Sequence, residues 1–86
     1  MLVKSNNFIV KLQIEKSGRA GKTVTVLNGL PKIEIYLKEL CTELKKKCGS
    51  GGTYITDQKE GVIEIQGDKR EIIRATLSAK GIQVKG

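Results

Sequence analysis

Residues 33–48 show the clearest periodicity in the chain. Their apolar side chains recur at three- and four-residue steps, which places them along one side of an α-helix; they are Ile33, Leu37, Leu40, Cys41, Leu44 and Cys48. Pro31 is suited to the first position of this helix, and Gly49 is suited to the left-handed conformation that ends many helices. A helix with a single apolar side must bury it against a second layer, so the flanking sequence has to supply that layer.

Segments with β-strand alternation flank this helix on both sides. Residues 8–14 and 22–27 predict a hairpin whose tip is rich in glycine and basic residues, and we expect the second strand to break at residues 28–31. Residues 53–56 and 62–66 predict another hairpin. Asp68 and Glu71 resemble a capping box for a second helix that Gly81 ends, and residues 82–85 predict a last strand. The order β-β-α-β-β-α-β predicts an α+β fold of two layers, with both helices on one face of the sheet.

The length of the chain limits what this fold can contain. At 86 residues there is room for one thin core and for no deep active-site cavity. We expect a short N-terminal tail, residues 1–7, followed by one domain, residues 8–86. We expect a monomer. The N-terminal sequence has no apolar run long enough for a signal peptide or a membrane span, so we expect a cytoplasmic protein without membrane association. In that compartment the two cysteines stay reduced.

The charge balance indicates an anionic partner. The chain has 16 Lys and Arg residues against 9 Asp and Glu residues, a formal net charge of +7, and such an excess attracts polyanions. If each short connection reverses the chain, residues 16–22, 45–52 and 67–70 fall at one end of the sandwich, opposed there by Glu15 and Asp68 only. We call this end the basic pole. Its predicted RNA-binding residues are Lys16, Arg19, Lys22, Lys45, Lys46, Lys47, Gly51, Gly52, Lys69 and Arg70, the glycines allowing close approach of the backbone to phosphate.

The glycines of residues 18–23, GRAGKT, invite comparison with a nucleotide-binding P-loop. The P-loop pattern requires a glycine where this chain has Lys16, and it requires a helix after the lysine, whereas a strand is predicted here. An ATPase is therefore excluded. The glycines are interpreted as permitting positive φ in a hairpin tip.

Catalytic and metal-binding residues are scarce. The chain has no histidine and only two cysteines, which are too few ligands for a metal site. Cys41 and Cys48 are about 10 Å apart along a helix, too far for a disulfide. Cys41 is interpreted as a small apolar core residue, while the lysines beside Cys48 are expected to lower its pKa, which leaves a redox role as an alternative. We predict no enzyme, no catalytic residue, no metal and no cofactor.

Two helices over a sheet would also suit an RNA-recognition motif, which stacks bases on aromatic side chains of its central strands. The aromatic residues of this chain are Phe8, Tyr36 and Tyr54. Three aromatic side chains spread in this way disfavour base stacking. The composition instead favours contacts with backbone phosphate.

Three stretches in this order and spacing resemble a known family: SGRAGK (17–22), ELKKKCGSGGT (43–53) and GVIEIQGDKR (61–70). Over nearly its whole length the chain resembles the translation initiation factor 1 (Sui) family, most closely its bacterial and archaeal YciH-type members. The resemblance implies an α/β plait with a five-stranded mixed sheet and two helices on one side. It maps the family's basic hairpin loop onto Lys16, Arg19 and Lys22, and a structural turn onto Gln66, Gly67 and Asp68.

The resemblance also implies a function without catalysis. It implies binding to the small ribosomal subunit through rRNA and an influence on start-codon and initiator-tRNA selection, with initiator tRNA and other initiation factors as further partners. Close bacterial relatives often read CGCGG where this chain has Ser50 in CGSGG, which weakens any shared thiol chemistry. Two alternatives stay open: a general RNA-binding or ribosome-associated stress protein without a role in codon choice, and a protein-interaction module whose charge serves solubility.

Overall fold

The computed structural model describes residues 8–17, 22–56 and 59–85. Its elements are β1 (Ile9–Ser17), β2 (Lys22–Leu30), α1 (Glu34–Cys48), β3 (Gly52–Ile55), β4 (Gly61–Gln66), α2 (Arg70–Ala79) and β5 (Gln83–Lys85). The predicted order β-β-α-β-β-α-β is confirmed. The strands form one mixed sheet in the order β3-β4-β2-β1-β5, in which β1 and β5 are parallel and the other neighbours are antiparallel.

Alternation along the strands gives the sheet one buried face and one open face. Strand pairing aligns Leu12 with Leu27 and Leu27 with Ile63, so these side chains point to the same side. Both helices cover that side, as predicted. The resulting core includes these fully buried residues: Val10, Leu27, Leu37, Leu44, Ile63, Ile65, Ile73 and Leu77.

Helix α1 buries the apolar stripe that the sequence predicts. All of its members from Leu37 to Cys48 are buried, while Ile33 lies just before the helix and is 37% exposed. Gly49 ends the helix in the left-handed conformation, with φ 62°, and its N–H donates to the Lys45 carbonyl. The Ser50 N–H donates to the same carbonyl at 3.3 Å. The prediction for the end of α1 is confirmed, and the three lysines of its last turn lie at the negative end of the helix dipole.

The predictions that β2 breaks at residues 28–31 and that Pro31 opens the helix are wrong. β2 continues to Leu30, which pairs with Gly61 after an irregularity in the register that follows Leu27. Gly29 has φ 83° there, and a side chain at this position would meet the Ile9 carbonyl oxygen. Because the chain stays in the sheet to Leu30, residues 31–33 are needed to reach α1.

The predicted capping box at the start of α2 is not formed. Lys69 occupies the N-cap position, and its side chain makes no capping hydrogen bond. The Asp68 carboxylate binds the Arg70 side chain, and it also accepts the Arg70 N–H at 3.4 Å. At the other end Gly81 ends the helix as predicted, with φ 79°, and the Ile82 N–H donates to the Leu77 carbonyl at 3.0 Å.

Candidate nucleic-acid interface

Backbone hydrogen bonds hold the basic segments together at one end of the sheet. The Gly67 N–H donates to the Thr23 carbonyl at 2.8 Å, and the Gln66 N–H donates to the Gly51 carbonyl at 2.9 Å. The turn between β4 and α2 therefore lies between the start of β2 and the segment that follows α1. Lys22 pairs with Ser17 where the first hairpin approaches its tip. The described parts of the three segments of the basic pole thus lie at one end of the sheet, as the count of chain reversals predicts.

The lysines of the basic pole present their charge to solvent. Lys46 and Lys47 are exposed in the last turn of α1, and Lys16 and Lys22 are exposed at the ends of β1 and β2, whereas Lys45 and Lys69 are half-buried. No salt bridge joins any of these lysines to a carboxylate within the described ranges. Arg19, predicted for the same surface, lies outside the described residues.

Arg70 differs from the lysines because Asp68 binds it. Its guanidinium donates from Nε to Oδ1 and from Nη2 to Oδ2, each at 3.0 Å. The hydrogen bond from Arg70 holds the pKa of the Asp68 carboxyl below its ordinary value, and Asp68 raises the pKa of the guanidinium. The first turn of α2 adds Glu71 to this end, an acidic residue that the sequence prediction omitted. Arg70 therefore carries less free positive charge than its position in the sequence suggests.

A buried threonine fixes the turn that presents Lys69. Thr25 is 0% exposed. Its hydroxyl donates to the Gly67 carbonyl and accepts the Lys69 N–H at 2.9 Å. The second bond gives the Lys69 amide, at the N-cap of α2, a partner on β2. Sequence reasoning missed Thr25. Its place two residues before Leu27, on the same side of the strand, was a signal, because a hydroxyl that faces the core needs hydrogen-bond partners.

Internal structure accounts for two of the glycines at the basic pole. A Cβ added to Gly52 would lie 2.6 Å from Ile65 Cδ1 and 2.8 Å from the Glu64 carbonyl oxygen, too close for either. Gly67 has φ 89°, a conformation that favours glycine. Gly51 is exposed, and a Cβ there would meet only the Gln66 side chain, at 3.4 Å. Gly52 and Gly67 thus have structural roles apart from any approach to phosphate.

The prediction that neighbouring lysines lower the pKa of Cys48 is wrong in direction. Cys48 is 7% exposed, and its burial raises the thiol pKa more than the nearby Lys69 ammonium lowers it. Cys41 is buried in the core as predicted, and burial raises its pKa too. Both thiols are free, and both are held away from the reactive thiolate form.

Within residues 8–17, 22–56 and 59–85, no three His, Cys, Asp or Glu side chains group closely enough to hold a metal ion. In the same ranges, no helix combines the length and apolar character that crossing a membrane requires.

The aromatic side chains are not on the open face of the sheet. Tyr54 pairs with Ile63 and so shares the helix-covered side, where its hydroxyl donates to Glu34 Oε2 at 3.4 Å. The Phe8 and Tyr36 rings pack edge to face, with centroids 6.1 Å apart, against the core. The open face therefore lacks the aromatic platform on which RNA-recognition motifs stack bases.

Comparison with known proteins identifies relatives that point to one family. Residues 6–83 match the family model described as translation initiation factor SUI1. The chain is 51% identical to YciH of Salmonella typhimurium over 77 residues, which are 90% of this chain and 68% of that protein. It is 48% identical to YciH of Escherichia coli with the same coverage. It is also 46% identical over 81 residues to the protein translation factor SUI1 homolog of Picrophilus torridus, covering 93% of this chain and 77% of that protein. The chain belongs to the SUI1 family of translation initiation factors.

Proposed function

We propose that this chain binds the small ribosomal subunit through rRNA phosphates contacted by the basic pole, and that in this position it influences start-codon and initiator-tRNA selection. Membership of the SUI1 family supports the ribosomal setting. The surface is supported by the hydrogen bonds that join Gly51 to Gln66 and Thr23 to Gly67, since they bring separate basic segments to one end. This convergence is the observation that carries the proposal.

The chemistry of the basic pole suits a phosphate backbone. Lysine ammonium groups act as point charges with several possible donors, so they bind phosphates without demanding one geometry. Exposed lysines without carboxylate partners also have no internal ion pair to break before they meet RNA. Their contacts displace counterions from the RNA, which makes binding dependent on salt.

The proposed activity is binding and positioning. Phosphate contacts fix where a protein sits but carry no sequence information, and the described sheet offers no aromatic side chain for stacking on its open face. We therefore expect any effect on codon choice to come from the location of the bound protein on the subunit. No catalytic residue or cofactor is needed for that role.

Sedimentation with purified small subunits, with and without initiator tRNA, tests the binding step. The double substitution Lys46→Ala, Lys47→Ala should weaken cosedimentation because it removes two exposed charges from the basic pole. Lys32→Ala is the matched control: Lys32 is also exposed, but it precedes α1, whose 15 residues span about 22 Å at 1.5 Å per residue. Cosedimentation of the double variant at the wild-type level would refute the proposed surface.

Initiation at near-cognate start codons tests the second step. In a reconstituted translation assay, adding the wild-type chain should change the ratio of near-cognate to cognate initiation, and the double lysine variant should lose that effect. A chain that binds subunits yet leaves the ratio unchanged would instead fit the general RNA-binding or ribosome-associated alternative.

A further inference from the structure

The open face of the sheet carries a depression of about 430 Å³. Val26 and Val62 form its floor; although they face away from the core, they are only 4% and 8% exposed. Three carboxylates border it, those of Glu15, Glu60 and Glu64. The depression thus combines an apolar base with acidic walls.

Strand pairing explains why the carboxylates gather around one apolar side chain. Glu64 on β4 lies directly opposite Val26 on β2, and side chains in such pairs have Cβ atoms about 5 Å apart. Glu15 on β1 lies opposite Val24, so it is a diagonal neighbour of Val26, at about 7–8 Å. Both carboxylates are therefore within reach of a single extended ligand.

Three carboxylates and one lysine border the depression within the described part of the chain. No salt bridge joins Glu15, Glu60 or Glu64 to a described cation. Lys59 borders the depression, whereas Lys11 and Lys85 of the same face lie opposite each other on β1 and β5 and are not among its lining residues. A local acidic patch thus stands out in a chain whose net charge is +7.

This patch has the wrong chemistry for RNA. Carboxylates repel phosphate, and the aromatic rings that could stack bases lie on the other side of the sheet. Arginine and lysine side chains are the groups that carboxylates bind, arginine in a bidentate geometry. The apolar floor adds a place for one aliphatic side chain between them.

We propose that the open face of the sheet binds a cationic peptide segment of another protein. Its basic side chains bind Glu15, Glu60 and Glu64, and an aliphatic side chain between them contacts Val26 and Val62. This surface lies on the open face of the sheet and adjoins the basic pole at Glu15. The proposal does not depend on ribosome binding.

Fluorescence anisotropy with a labelled decapeptide tests the proposal. The probe alternates arginine and serine around one central leucine, and the matched control peptide has glutamine in place of arginine. We expect the arginine peptide to bind more tightly than the glutamine peptide despite the positive net charge of the protein. Glu15→Gln and Glu64→Gln should each weaken its binding about 1.5- to 5-fold, the range of single exposed ion pairs, while Glu39→Gln, an exposed carboxylate of α1, should not.

A crossed comparison separates this site from the basic pole. Lys46→Ala, Lys47→Ala should not weaken peptide binding, and Glu15→Gln should not weaken small-subunit binding. Because Glu15 is exposed, its variant remains informative even if Glu64→Gln proves unstable. Equal affinity for the two peptides, or wild-type peptide affinity in both glutamate variants, would overturn the proposal. So would a dimer, seen by sedimentation velocity, that Glu15→Gln dissociates, because a second copy would then be the occupant.

Discussion

Single side chains decide how the basic pole is shaped. Thr25 supplies one hydroxyl to two backbone groups, the Gly67 carbonyl and the Lys69 amide. The Asp68 carboxylate accepts two hydrogen bonds from the guanidinium of Arg70. The bonds of Thr25 join residues that are far apart in the sequence. Asp68 has several possible partners near it, so residue identity alone does not predict its contact with Arg70.

Thr25→Val should destabilise the protein by about 1–3 kcal/mol, because it keeps the side-chain volume but leaves two partly buried backbone groups without this partner. The free energy of unfolding in urea measures this change. Amide hydrogen exchange gives a sharper test: exchange at Lys69 should accelerate in Thr25→Val and stay slow in Thr25→Ser, which keeps the hydroxyl. Unchanged protection of that amide in Thr25→Val would contradict the assigned role.

Asp68→Asn should lower the melting temperature at neutral pH and have little effect in acid. The folded-state pKa of Asp68 lies below its ordinary value of 3.8, so its stabilising effect is present above that value and is lost as the pH falls through the lowered pKa. Melting curves between pH 7 and pH 2 measure the difference, with Glu39→Gln as the exposed control. A difference that stays constant over this range would show that the contact with Arg70 does not contribute.

At the scale of elements, periodicity predicted the helices and strands well. The stripe from Leu37 to Cys48 was readable because each step of three or four residues returns to one helix side. The boundaries were less readable: β2 runs past Asn28 because Gly29 accommodates an irregular pairing that brings Leu30 opposite Gly61. This pairing depends on Gly61 of β4, which is distant from Leu30 in the sequence. The local sequence around residues 28–31 therefore does not predict where β2 ends.

Gly52→Ala should destabilise the start of β3 by about 1–3 kcal/mol, the usual cost of overpacking. A Cβ there would be 2.8 Å from the Glu64 carbonyl oxygen, a backbone atom with little freedom to move. Gly51→Ala is the matched control and should change the free energy of unfolding by less than about 0.5 kcal/mol. Thermal or urea unfolding distinguishes the two. Equal free energies of unfolding for the two variants would mean that close packing at position 52 does not require glycine.

At the scale of the whole molecule, the two proposed binding surfaces differ in charge. Lysines gather where the β4–α2 turn meets β2 and the segment after α1, whereas carboxylates border the depression on the open side of the sheet. The basic pole could be predicted because short connections reverse the chain. The acidic face could not, because it depends on the register of β1, β2 and β4 and on which of their alternating side chains point away from the helices.

The salt dependence of small-subunit binding tests the basic pole most directly. Binding constants would be measured over a series of salt concentrations for the wild type, for Lys46→Ala and Lys47→Ala singly and together, and for Lys32→Ala. We expect the slope of log K against log salt to fall by about 0.7 for each phosphate contact removed, so by about 1.4 in the double variant, and to stay unchanged in Lys32→Ala. A slope that is the same in all of these proteins would contradict a phosphate-binding surface at this end of the molecule.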